Sequence, residues 1–459
     1  MENLDKQEQK KKIPEAKIFP VPFPLGEIKT NITINTNSPS KPSKEEIINQ
    51  AFKFHSQGNI PEAAKYYQYF INQGFKDHKV FSNYGTILTS IRKLKEAELS
   101  TRKAIELKPD FADAHLNLGI ILRDLDNLKE AKLSTLKAIE LKPDFADAHL
   151  NLGIILKDLG NLKEAELSTL KAIELKPDFP DAHNNLGIIL KDLGNLKEAE
   201  LSTLKAIELK PDFPDAHNNL GIILRDVGEL QKSEISHRKA IEIKPDFAEA
   251  HINISYIELL KGNYSSGLEK YEYRFKTKKP ALIHSKTSLK HIDTKKLQQE
   301  EKLLVITEQG IGDTLQYMRY IPYLRKQGFD ISFCALEKLH TLIKSSVIDY
   351  NPLTPEKATQ VSEGKWIPLL SLPRYLKVNP QNPIITEPYI YSTVELNQKW
   401  KEIFSKEKRP IVGINWQGNP TMEKTHYQGR SIPLLTFSIL ADQHEITLLS
   451  LQKGFGSEQ

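Results

Sequence analysis

The chain has 459 residues, 27% of them charged, and its 64 Lys+Arg against 59 Asp+Glu leave a formal net charge of +5. Charges of both signs are interspersed, which excludes the basic stripe of a dedicated nucleic-acid binder, and no apolar run approaches the roughly 18 residues of a membrane-spanning helix. Cys334 is the only cysteine, so no intrachain disulfide or cysteine-based metal cluster is expected, and a reducing, cytoplasmic compartment fits.

Residues 1–43 are dominated by Lys, Glu, Pro, Asn and Ser. Such a composition buries too little to offset chain entropy and predicts a disordered N-terminal tail. Phe19-Pro-Val-Pro-Phe-Pro24 reads as a short polyproline-II piece. No apolar segment follows the lysine-rich Met1–Lys12, so a secretory signal is not expected.

From residue 44 to about 277 the chain repeats itself. Lys-Pro-Asp-Phe recurs at Lys108–Phe111, Lys142–Phe145, Lys176–Phe179, Lys210–Phe213 and Lys244–Phe247, each 34 residues after the last. A fixed period of this length predicts a stacked array of one supersecondary unit, not a single globular core. In the unit from Ala112 to Phe145, Asp110 stands where a helix N-cap is expected and Asp113 adds negative charge to the first turn. His115, Leu118, Gly119 and Leu122 form one helical face at positions four, seven, eight and eleven. Asp126-Asn127 breaks the pattern, as Gly160-Asn161 and Gly194-Asn195 do later. A second helix is predicted over Leu128 to about Leu141, with Leu128, Ala131, Thr135 and Ala138 on one side, ended by Pro143.

Leu at position seven, Gly at eight, Ala at twenty and twenty-seven and Pro at thirty-two resemble the tetratricopeptide repeat. That resemblance implies an α-solenoid of helix hairpins wound as a right-handed superhelix. Seven units are expected, starting near 44, 78, 112, 146, 180, 214 and 248, the first and last degenerate as terminal caps. Positions two, six, nine and thirteen then face an inner groove as ladders of Asp, Asn, Ile and Asp. Asn117, Asn151, Asn185 and Asn219 form the amide ladder, and an amide holds both donor and acceptor for the backbone of an extended peptide. This inner face resembles the asparagine ladder in the repeats of eukaryotic O-GlcNAc transferase. A protein or peptide partner in the groove is therefore expected, against the plainer reading of a solvated polar surface. His115, His149, His183, His217 and His251 share position four, but helices of neighbouring units pack ~8–10 Å apart, so a shared metal ion is not expected.

Lys276 to Gln299 is polar and aperiodic and reads as part of a linker over 278–300. The pattern then changes. Leu303–Thr307 is a β-branched run, Glu308-Gln-Gly-Ile-Gly-Asp-Thr314 a glycine loop, about 315–327 a helix and Asp330–Ala335 a second strand, together a βαβ unit. Further on stand Trp366–Pro373, then Pro410–Asn419, Arg430–Pro433 and Leu449–Gly454. Together these look like bacterial glycosyltransferases of the heptosyltransferase (family 9) type. The resemblance implies a Rossmann-like (GT-B type) half over 301–408 and a truncated start of a second half over 409–459. It implies Asp313 as catalytic base, with Gly310, Gly312 and Thr314 in an acceptor-side loop. Trp416, Gly418, Asn419, Lys424 and Arg430 are then the donor-side candidates, facing a sugar nucleotide as co-substrate, with no metal and no other cofactor. An N-cap for the following helix is the alternative role of Asp313. The family's donor-binding motif would lie beyond Gln459. Two functions are thus expected in competition. One is a repeat scaffold presenting an acceptor to a sugar-transfer module, the other a non-catalytic scaffold with an incomplete module.

Overall fold

The computed structural model describes residues 42–292, 301–308, 310–384, 387–415, 432–443 and 445–451. It divides at Pro280 and Ala281 into two compact units.

The first unit is a solenoid of helical hairpins, seven among the described residues. The first helices are α1 (Lys44–Ser56), α3 (His78–Ser90), α5 (Ala112–Asp124), α7 (Ala146–Asp158), α9 (Pro180–Asp192), α11 (Pro214–Val227) and α13 (Ala248–Leu260). Their partners are α2 (Ile60–Asn72), α4 (Leu94–Leu107), α6 (Leu128–Leu141), α8 (Leu162–Leu175), α10 (Leu196–Leu209), α12 (Leu230–Ile243) and α14 (Tyr264–Tyr271). Each second helix packs on the first helix of the next hairpin, and from α3 to α13 successive first helices also touch. First helices therefore line one side of the stack and second helices the other.

Because each interior first helix meets its own partner and both neighbouring hairpins, it is buried on several sides. In α5 the buried residues are Ala114, Leu116, Leu118, Gly119, Ile121 and Leu122; the expected positions seven, eight and eleven are among them, whereas His115 at position four is only half-buried. The core is built across unit boundaries. Leu116 and Ala138 pack with Phe145 and Ala148 of the next hairpin, and Leu118, Leu122 and Ala131 pack with Ile155.

The expected close approach at position eight is present. A Cβ on Gly119, Gly153 or Gly187 would stand 2.1–2.2 Å from the Thr135, Thr169 or Thr203 hydroxyl. The expected caps are not. Asp110 does not cap α5; the N-cap is Phe111, with no side-chain cap hydrogen bond, and Phe145, Phe179, Phe213 and Phe247 do the same later. The phenylalanine is drawn inward, 3–9% exposed, so its aspartate neighbour is carried past the cap position. The lysine of the same motif lies over the ring, at 4.6 Å for Lys142 on Phe145 and 4.5 Å for Lys176 on Phe179.

The end hairpins have different cores. In the first, Tyr67 and Phe70 are fully buried, and the Tyr67 hydroxyl lies 3.1 Å from Nδ1 of the buried His55. In the last, a 3-10 turn at Glu272–Phe275 follows α14. The buried Arg274 lies over Tyr271 and Phe275 and bonds Glu272 at 2.8 Å.

The second unit holds two parallel sheets. Strands β1 (Lys290–His291), β2 (Lys302–Ile306), β3 (Asp330–Cys334) and β4 (Lys365–Pro368) pair in the order β1-β4-β2-β3. Lys290 and His291, expected in a linker, thus supply an edge strand. Between β2 and β3 the single predicted helix is two, α15 (Ile311–Tyr317) and α16 (Tyr320–Lys326). Pro322 has no N–H for the Met318 carbonyl, and Ile321 bonds that carbonyl instead at 3.0 Å. Short helices follow at α17 (His340–Ser345), α18 (Pro355–Ala358) and α19 (Leu372–Tyr375). The full Rossmann-like half expected over 301–408 is therefore represented by short parallel strands and helices of four to ten residues. The ten-residue helix is α20 (Val394–Ile403); after residue 408 come β5 (Ile411–Ile414), α21 (Ser438–Gln443) and β6 (Thr447–Ser450), with β5 and β6 forming a two-stranded parallel sheet.

Candidate functional site

The rows of the repeat unit expected to face a groove are set by position. Asn117, Asn151, Asn185 and Asn219 each direct the side-chain N–H to a neighbouring repeat. Asn117 donates to the Ser82 hydroxyl at 3.1 Å and Asn219 to Asn184 Oδ1 at 2.9 Å; Asn253 repeats the pattern on Asn218 at 3.0 Å. In each case the acceptor is the fifth residue of the preceding hairpin. Where that residue is Leu116 or Leu150, it offers no acceptor. Asn151 then donates to Thr135 at 2.9 Å and Asn185 to Thr169 at 3.1 Å. Asn151 and Asn185 are buried as a result, 4% and 6% exposed, while Asn117 and Asn219 are half-buried. The amide ladder expected to grip a ligand through both of its groups uses its donors to bolt repeat to repeat. Sequence alone did not reveal this, because the acceptor changes identity from unit to unit.

Charge at position thirteen is paired within the chain. Asp124, Asp158, Asp192 and Asp226 stand 2.8–3.0 Å from the cation preceding each, Arg123, Lys157, Lys191 and Arg225. Arg123 also reaches Asn151 Oδ1 at 3.3 Å. At position two, burial raises the Asp113 carboxyl above its ordinary value, countered in part by Lys142. Ile120, Ile154, Ile188 and Ile222 are half-buried between these polar rows.

The position-four histidines have a defined task that spacing did not disclose. Nε2 of His115, His149, His183, His217 and His251 lies 2.9 Å from the carbonyl oxygen of Pro109, Pro143, Pro177, Pro211 and Pro245. A carbonyl only accepts, so Nε2 carries the proton and donates it. Each ring ties its helix to the Lys-Pro-Asp-Phe turn before it. Among the described residues no cluster of His, Cys, Asp or Glu could hold a metal ion.

In the second unit, the loop after β2 stands at the carboxyl end of the parallel strands, where open α/β sheets bind ligands. Thr307 and Glu308 there are fully buried; Glu308 accepts from the Leu370 amide at 3.1 Å, and Thr307 bonds His284 through backbone and side chain. Asp313 is not the N-cap weighed for it: the helix begins three residues earlier than expected, Gly310 is the N-cap, and Asp313, in the first turn of α15, accepts from the Gly310 amide through Oδ2 at 3.1 Å. Thr314 is buried and donates to the Gly310 carbonyl at 3.3 Å, whereas Gly310 and Gly312 are exposed. Trp416, Gly418, Asn419, Lys424 and Arg430 lie outside the described residues. A shallow cavity beside Arg325, Ile348 and Tyr350 sits near Ile331 at the amino end of β3, away from this loop.

Family models described as tetratricopeptide repeat match residues 112–145, and residues 135–166, 169–200 and 203–235. The chain carries tetratricopeptide repeats across these residues. Among solved structures, a tetratricopeptide repeat protein from Parabacteroides merdae is 18% identical, covering 50% of this chain and 91% of its own, with a TM-score of 0.43. YrrB, a TPR protein with an unusual peptide-binding site, is 28% identical over 41% of this chain and 97% of its own, with a TM-score of 0.32. Pseudomonas aeruginosa pilF is 18% identical over 43% and 89%, with a TM-score of 0.38. No curated protein matches the chain.

Proposed function

We propose that this tetratricopeptide-repeat chain is a protein-interaction scaffold that holds an extended peptide along the first helices of its hairpins. The observation that supports this reading is the recurrence of the same Asp, Asn, Ile and Asp positions in four successive units, on the side where first helices adjoin. The neighbour-bonded asparagines are held in fixed orientation. Their carbonyl oxygens at Asn117 and Asn219, with the carboxylates of Asp158 and Asp192, form rows of acceptors for peptide N–H groups and basic side chains. Rows fixed before binding lose little entropy when a ligand arrives.

Selection of a displayed random-peptide library on the immobilised chain tests it. Selected peptides should lose about tenfold in affinity when Asp158→Ala and Asp192→Ala are combined, and nothing on Leu167→Glu in α8. Affinity unchanged by the aspartate pair would remove the inner-face assignment.

A second reading attaches to the parallel strands and to the buried Glu308 beside the Gly310–Thr314 loop. There the second unit binds a sugar nucleotide for transfer, with Asp313 as base. Its test is titration with labelled sugar nucleotides, and no binding at millimolar concentration would dispose of it.

A further inference from the structure

The side of the repeat unit opposite the first helices carries a row of uncovered leucines. Leu99, Leu133, Leu167, Leu201 and Ile235 occupy the same place on α4, α6, α8, α10 and α12, and each is 67–71% exposed. Leu136, Leu170 and Leu204, three residues further on, widen the central rungs at 40–43% exposure. Residues three apart share a helix face. Adjacent rungs are side by side, since Lys132 of α6 reaches Glu164 of α8 at 3.6 Å and Arg102 of α4 bonds Glu130 of α6. The intrahelical core does not need these side chains. Ala165, Thr169 and Ala172 already fill the inward face of α8; α4, α6 and α10 repeat that arrangement, and α12 buries Ser233, His237 and Ala240 in its place.

We propose that this ridge is the surface through which two copies of the chain pair about a two-fold axis centred on the Leu167 rung. Three features select a second copy as the occupant. The first is area: eight such side chains present on the order of 800 Å² of surface, above the largest patch of a typical monomer and close to one partner's share of a standard interface. The second is charge. Each rung is flanked by Lys–Glu pairs, such as Lys137–Glu140, Lys171–Glu174 and Lys205–Glu208 at 2.6–2.7 Å, so no single-sign field draws an anionic membrane or nucleic acid. A two-fold at Leu167 also sets α6, with three lysines and two glutamates, against α10, with two lysines and three glutamates. The third is symmetry. Rungs repeating at one period are self-complementary under a two-fold, because Leu133 meets Leu201 and Leu99 meets Ile235 while Leu167 meets its own copy.

Sedimentation equilibrium of the full chain over a wide concentration range reads the pairing directly. Wild type should associate to twice its 52.3 kDa mass. Leu133→Glu with Leu201→Glu should raise the dimer dissociation constant by roughly 100-fold, with helical circular dichroism unchanged because both positions are exposed. Under mild oxidation Leu167→Cys should cross-link to itself. Leu133→Cys should cross-link only when mixed with Leu201→Cys, the native Cys334 being buried. A chain that sediments as a monomer at every concentration overturns the proposal, as does a dimer that survives the glutamate pair. Leu133→Cys cross-linking to itself would overturn the centred two-fold.

Discussion

Nε2 of His183, 2.9 Å from the Pro177 carbonyl, shows how one side chain can serve a turn and a helix together. The hydrogen bond gives the carbonyl before Asp178 a partner at a point where proline has ended the ladder. Position eight shows the opposite economy, where the absence of a side chain is what counts. Gly187→Ala would set a Cβ 2.1 Å from the Thr203 hydroxyl and 3.1 Å from the Ala199 carbonyl. The better helix propensity of alanine is worth about 1 kcal/mol, and overpacking against backbone should exceed it. A net loss of about 1–3 kcal/mol is expected in chemical denaturation.

The twelfth helix departs from this pattern in one residue. Where four earlier hairpins place threonine, α12 has His237, fully buried against Gly221, with Nδ1 3.0 Å from Asn218 Oδ1 and Nε2 without a partner. Burial first, and Arg225 second, lower its pKa to about 3. The unfolded chain binds a proton there near pH 6.5 and the folded chain does not, so this group favours folding less as pH falls from about 6.5 towards 3. Wild type should therefore lose more stability than His237→Thr between pH 7 and 5, measured by thermal melts of both chains at each pH. Equal losses would show that the ring is not held neutral. The buried position of this histidine was not legible in sequence, because it depends on the glycine sixteen residues earlier facing it across the hairpin.

At the scale of elements, periodicity predicted the interior hairpins well, since fourteen short helices with breaks at Asn and Gly leave few alternatives. Caps were less legible. An aspartate before a helix reads as an N-cap, yet burial of Phe111 and its equivalents outweighs a single cap hydrogen bond, worth about 1 kcal/mol. Likewise α15 and α16 read as one helix until the missing N–H of Pro322 is counted. The second unit was harder, because short apolar runs do not specify which strands adjoin. The order β1-β4-β2-β3 places a two-residue strand at the edge that sequence had given to a linker. Uncovered apolar side chains on α20, with Trp400 stacked on Phe404 at 5.4 Å, mark this element as less completely packed than β2 and β3. Cys334 on β3 reports on that packing. Burial pushes its thiol up to about 12, so it should resist alkylation at pH 8 in the folded chain. Its labelling should follow the denaturant midpoint of the sheet, read by mass spectrometry; rapid labelling in buffer would show that the sheet opens readily.

Over the whole molecule, the asparagine bonds and the shared core clusters both run between adjacent hairpins. Stability in such an array is a sum of unit and neighbour terms, and end units lack one neighbour. That logic was visible in the 34-residue period. The chemistry of the inner face was not, because a side chain's position on a helix does not reveal which of its polar atoms a neighbour takes. Native-state amide hydrogen exchange tests the stacked array most directly. Protection should rise from α1 and α2 to a maximum in α7–α10 and fall again towards α14, with the strands β2 and β3 exchanging on a separate schedule. One uniform protection across 44–275 that also matches β2 and β3 would contradict the account.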